Sequence, residues 1–180
     1  KNLLGSVGEA QNIPLKSVVR ARLLLDEKDM SSAKVVLVNG RCSDPLDLRI
    51  YKMLEEADPA GGWMYYRNVE LLHAGRNTVA CGASDTDIPQ KRLYDIYSEW
   101  QKGNKDAAGK ALADSAEYAD DDEDFVLAAA RMAADEEDWH SSEMLYDRII
   151  DKGCTFVLCE AARVSLMGGN IDKAMNLYHI

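Results

Sequence analysis

Two stretches decide how this chain folds: EEDWHSSEMLYDRII at residues 136–150 and GGNIDKAMNLYHI at residues 168–180. Each runs from an acidic or Gly-rich turn to a large apolar residue, then a small one, then a Leu-Tyr pair. The small residues are Ser142 and Ala174. The same register continues back through Ala108, Tyr66 and Ala33, with separations of 33, 42, 34 and 32 residues between successive markers. The long interval contains the turn-rich stretch RNTVACGASDTD at 76–87. Twelve residues before the markers stand Ala21, Leu54, Ile96, Ala130 and Ala162; four residues after them stand Leu37, Glu70, Leu112, Tyr146 and Tyr178. Three of the five turns ahead of the markers read Gly-Asn, at 103–104 and 169–170, or Glu-Asp, at 137–138. The chain is therefore read as copies of one unit of about 34 residues.

Within each copy the apolar period is helical. Leu15, Val18, Val19, Ala21, Leu24 and Leu25 recur at three- and four-residue spacing. SSAKVVLVNG follows after a polar break and is expected to stop on Gly40. Asp44 with Pro45 is expected to open the next helix, which ends at Asp58-Pro59. WMYYRNVELLHAG is expected to stop at Gly75, and three further pairs follow the 76–87 loop. No stretch alternates with period two, so the fold is expected to be all-α, about ten helices in pairs. Two short helices cannot bury their faces alone. Small residues let the helices of a pair approach, and stacking of pairs makes a continuous core.

At these residues the sequence resembles the tetratricopeptide repeat family. Ala21, Leu24, Ala33, Leu37, Gly40 and Pro45 match the family pattern in the first unit. Ala130, Ala133, Ser142 and Tyr146 match it in the fourth, and Ala162, Gly169, Ala174 and Tyr178 in the fifth. The second unit departs, with Tyr66 in place of Ala and Glu70 in place of an apolar residue; the third has Ile96 at the small position. The resemblance implies a right-handed superhelical solenoid of antiparallel helix pairs. It has about five TPR-like units, roughly 14–44, 45–75, 88–120, 121–153 and 154–180, with a loop at 76–87. It also implies a concave face lined by the first helix of each pair. The clamp with which some family members hold a C-terminal carboxylate is missing, since Leu15 and Val18 stand where Lys is needed.

Composition restricts the function. Hydrophobic residues make up 47% of 180 residues, enough for a core. Net charge is −10, concentrated in the second half, where residues 91–180 hold 19 acidic and 10 basic side chains. That balance disfavours nucleic acid and anionic membrane as partners, because both need phosphate neutralised by Lys and Arg. No apolar run approaches the roughly 18 residues of a membrane span. Cys42, Cys81, Cys154 and Cys159 form no Cys-x-x-Cys pair, and free thiols in a reducing, cytoplasmic compartment are expected. The chain reads as a piece of a longer protein, because its first residue is not Met and its last helix runs to Ile180.

Catalytic patterns are missing. Glu136 and His140 stand four apart across a turn, without a third ligand nearby. The glycines at 168–169 serve a tight turn, not a phosphate loop. DDDED at 120–124 lacks the Gly and late Glu of a calcium loop and is expected to cap the following helix. No nucleophile turn is present, so neither an enzyme nor a cofactor is expected. One residue after each upstream position come Arg22, Glu55, Tyr97, Arg131 and Arg163. With Tyr94, Tyr97 and Trp100 these form the candidate groove, where Arg offers planar donors for carboxylates and the rings offer stacking. The competing reading pairs each Arg locally, as Arg131 with Asp135. The expected function is a non-catalytic scaffold that holds a protein or peptide partner. The alternatives are self-association through exposed helices, or, against the charge balance, an RNA-binding helical repeat.

Overall fold

A computed structural model describes residues 13–78, 88–115, 122–150 and 154–179. Among these residues the structure is all-helical, with no strand. Ten helices follow in order: α1 Ile13–Asp26, α2 Met30–Arg41, α3 Leu48–Ala57, α4 Trp63–His73, α5 Pro89–Gln101, α6 Lys105–Asp114, α7 Glu123–Asp135, α8 Trp139–Asp147, α9 Thr155–Met167 and α10 Ile171–Tyr178. From α1 to α6 and again from α7 to α10, each helix packs on the next; α1 also touches α3, and α5 touches α7. The 76–87 loop expected from the sequence lies largely outside the described residues.

The spacing found in the sequence reappears as burial. Ala21, Leu54, Ile96, Ala130 and Ala162 are all buried, as are Ala33, Ala108, Ser142 and Ala174. The two registers touch directly in one pair, where the Ser142 hydroxyl donates to the Ala130 carbonyl at 2.7 Å. A side chain much larger than Ala or Ser at such a crossing costs about 1–3 kcal/mol through overpacking.

One turn geometry joins four of the pairs. Five residues before the marker, Lys28, Gly103, Glu137 and Gly169 all have positive φ, of 61°, 85°, 61° and 85°. The next amide reaches back to a carbonyl in the last turn, as from Asp29 to Leu24 and from Asp138 to Ala133. That residue then starts the second helix. Asp29, Asp138 and Asn170 accept from the backbone N–H of Ser32, Ser141 and Lys173. A helix stop and a helix start thus share two residues. Asn104 departs from this pattern, donating its side-chain amide to Glu99 at 2.7 Å.

Two boundaries differ from the expectation. Gly40 does not stop α2, which runs on to Arg41. It is buried where a Cβ would stand 2.9 Å from the Ser17 Cβ, so its lack of a side chain permits close approach of α1. Asp44 does not open α3 either. Its carboxylate accepts the Leu46 N–H in a separate turn, and Asp47 caps α3.

The core runs as three successive clusters, around Leu37 and Leu54, around Leu93 and Phe125, and around Tyr146 and Val164. Ties of another kind join distant parts of the chain. Nη2 of Arg41, at the end of α2, donates to both Asp124 carboxylate oxygens, at 2.9 and 3.2 Å. The amide of Phe156 lies 3.4 Å from the Cys42 carbonyl oxygen, and Cys42 is disulfide-bonded to Cys154 across 112 residues. The expectation of free thiols is therefore corrected for these two residues; Cys159 is free and exposed, and Cys81 lies outside the described residues. Sequence spacing gave no sign of this bond, because the two residues stand 112 apart and no local pattern marks them as a pair.

Candidate functional site

The ends of α4, α5 and α7 meet one side of α9 around a cleft of about 530 Å³. Its walls include His73, Gln101, Asp135, Cys159, Glu160 and Arg163. Helix phase explains the α9 contribution: Cys159, Glu160 and Arg163 lie within four residues of one another, with Glu160 and Arg163 three apart on one face. Ala161, Ala162, Val164 and Ser165 between and beside them are buried.

Behind the cleft is a buried charge cluster centred on Arg131, which is only 2% exposed. Its Nε and Nη2 each donate at 2.9 Å to the two Glu160 oxygens. Nη1 and Nη2 donate to the two Glu70 oxygens at 3.2 and 3.0 Å, and Nη1 also reaches the Tyr97 hydroxyl at 3.3 Å. All five guanidinium donors thus have acceptors. Glu160 further accepts from the Tyr146 hydroxyl at 2.9 Å and stands 3.3 Å from His73 Nε2. Burial raises the Glu160 carboxyl, but the bonds from His73 and Arg131 outweigh it and hold the group well below the usual carboxylate range. Burial alone would disfavour the Arg131 charge; Tyr97, Glu70 and Glu160 more than offset that, and its pKa is raised.

Arg131 therefore departs from its expected role. It was expected to face a ligand, or else to pair with Asp135, and it does neither. Asp135 instead accepts the Trp100 indole N–H at 3.0 Å. Tyr97 is buried beside Arg131. Trp100 is also mostly buried, with Lys105 above its ring at 4.9 Å. Tyr94 is half-buried and packs its ring 6.0 Å from that of Tyr65. These rings are wall and support, not open stacking platforms. Arg163 is exposed, lines the cleft, and makes no ion pair among the described residues. Arg22 and Glu55 are exposed, with Arg22 bonded to Glu56 at 3.2 Å, and neither lines the cleft.

Sequence reasoning missed His73, Glu70, Glu160 and Tyr146. For Glu70 a signal existed: it is the one charged residue among the five positions that follow the markers by four. Tyr66, the other misfit, packs its ring 4.9 Å from the Arg41 guanidinium carbon, beside the tie to Asp124. A further charge, Arg67 on α4, is buried, and its Nε and Nη1 find no hydrogen-bond partner. Among the described residues no group of three His, Cys, Asp or Glu side chains is placed to hold a metal ion. Comparison with protein-family models, curated proteins and solved structures finds no match to this chain.

Proposed function

We propose that this chain is a non-catalytic protein-interaction module built as a TPR-like, right-handed superhelical solenoid of about five units. The repeated positive-φ turn, the burial of both marker registers and the contacts between first helices, α1 with α3 and α5 with α7, support the architecture. The module holds an extended segment of a partner protein in the cleft between α4, α5, α7 and α9. The observation that carries this reading is Arg163, an exposed guanidinium without an ion pair on the wall of that cleft. Arg163 takes a carboxylate of the partner, Gln101 offers neutral hydrogen bonds, and Asp135 repels a wrongly placed acid. Arg131 fixes the relative positions of α4, α5, α7 and α9 and leaves no donor for a ligand.

A displayed peptide library supplies the probe. Selected peptides are expected to carry an acidic group, to change the Trp100 fluorescence, and to bind Arg163→Glu at least tenfold more weakly than the parent. Lys52→Glu on α3 should bind as the parent does. Failure to select any peptide, or an unchanged affinity for Arg163→Glu, overturns the reading. Among the described residues no helix is long and apolar enough to cross a membrane. A cytoplasmic location requires Cys42 and Cys154 to be reduced there, whereas the bond seen here persists in oxidising compartments.

A further inference from the structure

Two apolar stripes lie uncovered at opposite ends of the helix succession. On α1, Leu15, Val19 and Leu23 stand four residues apart and are exposed, while Ala21 and Leu25 on another face are buried. On α10, Ile171, Met175 and Tyr178 stand four and three apart and are 58%, 54% and 56% exposed, while Ala174 is buried. Each stripe spans about two helical turns, so their lengths match. At three of the four junctions between helix pairs the next pair covers the one before, α3 on α2, α5 on α4 and α9 on α8, whereas α6 and α7 do not pack closely. Isolated exposed apolar residues are ordinary; rows of three on single helix faces mark an interaction surface.

Charge selects the occupant and its orientation. Of the six basic side chains in residues 13–41, Arg22, Lys34 and Arg41 pair with Glu56, Asp58 and Asp124, which leaves Lys16 and Arg20 as the cations of α1 without an ion pair among the described residues. Lys16 and Arg20 border the α1 stripe, Asp172 borders the α10 stripe, and none of the three has an ion pair among the described residues. Two α1 faces brought together would repel. An α1 face against an α10 face would join apolar to apolar and Lys16 or Arg20 to Asp172. We infer that this chain associates with a second copy of itself head to tail, the α10 stripe of one copy docking on the α1 stripe of the next. This surface is separate from the cleft and does not depend on the partner reading. A heterologous contact of this kind does not close on itself in a pair, so it extends unless an end is blocked.

The test uses the 180-residue chain in sedimentation equilibrium over a range of concentrations, with Val19→Asp and Met175→Asp as end-blocked variants. Both positions are exposed, and circular dichroism checks that the helices persist. The parent should show a mass that rises with concentration beyond the dimer and falls back on added salt. Each variant alone should be monomeric. An equimolar mixture of the two should stop at the dimer, because one intact α1 end remains to meet one intact α10 end. A monomeric parent at all concentrations overturns the inference and leaves the stripes to a different protein or to further chain. Dimers formed by either variant alone also overturn it, because they would require a self-complementary face.

Discussion

At the scale of single residues, Arg131 controls the interior. Glu70 and Glu160 face each other across its guanidinium, and without it two carboxylates are left in a partly buried site. Arg131→Ala should cost about 3–5 kcal/mol in urea denaturation, the loss expected when one partner of a buried pair is removed. Arg131→Lys should recover only part of it, because an ammonium cannot fork onto both acids. Glu160 gives the pH dependence its sign. Its pKa is lowered in the fold, so its contribution is present above the unfolded value of about 4.3 and is lost as pH falls below it toward the folded value. The urea midpoint should therefore drop more between pH 7 and acid pH in the parent than in Glu160→Gln. Arg67 predicts the opposite kind of effect. A buried guanidinium with two unpartnered nitrogens is a net cost, so Arg67→Met should raise stability by about 1 kcal/mol.

At the scale of helices and turns, the helices and most of their buried small residues could be read in advance, and the exceptions carried information that was not. Small residues at most crossings were legible from their spacing, although Leu54 and Ile96 are buried in the same register. The Lys28-Asp29 turn escaped notice because Lys stands where its counterparts have Gly or Glu; only φ reveals the common geometry. Glu137 holds the same left-handed conformation without the freedom of glycine. Glu137→Gly should accordingly be neutral or stabilising by up to about 1 kcal/mol, whereas Gly169→Ala should lose a comparable amount. Thermal melts of the two variants compare them directly. The candidate groove was only partly legible. Of the residues helical phase singled out, only Arg163 lines the cleft; Tyr97, Trp100 and Arg131 are buried. Phase could not reveal that Glu70 and Glu160, 90 residues apart, meet on Arg131 and occupy it.

At the scale of the whole molecule, the long-range ties set this chain apart from an array held only by neighbouring pairs. Arg41 with Asp124, Cys42 with Cys154 and Arg131 with Glu70 all bridge the early and late helices. Pairwise stacking alone would let end units fray independently. These bridges should make α2, α4, α7 and α9 unfold together, which native-state hydrogen exchange resolves. Thiol titration checks the covalent tie. In the native protein Cys159 should react, while Cys42 and Cys154 should react only after reduction. Cys42→Ser should lose about 2–5 kcal/mol under oxidising conditions and nothing under reducing ones.

The same bond has a mechanical consequence. When the two termini are pulled apart, the load path runs through Cys42 and Cys154 and bypasses the 112-residue span they bracket. That span would otherwise pay out roughly 370–400 Å of slack on stretching. While the sulfurs stay joined, a tensile pull lengthens only the flanking segments, and a reductant acts as the release catch for the remainder.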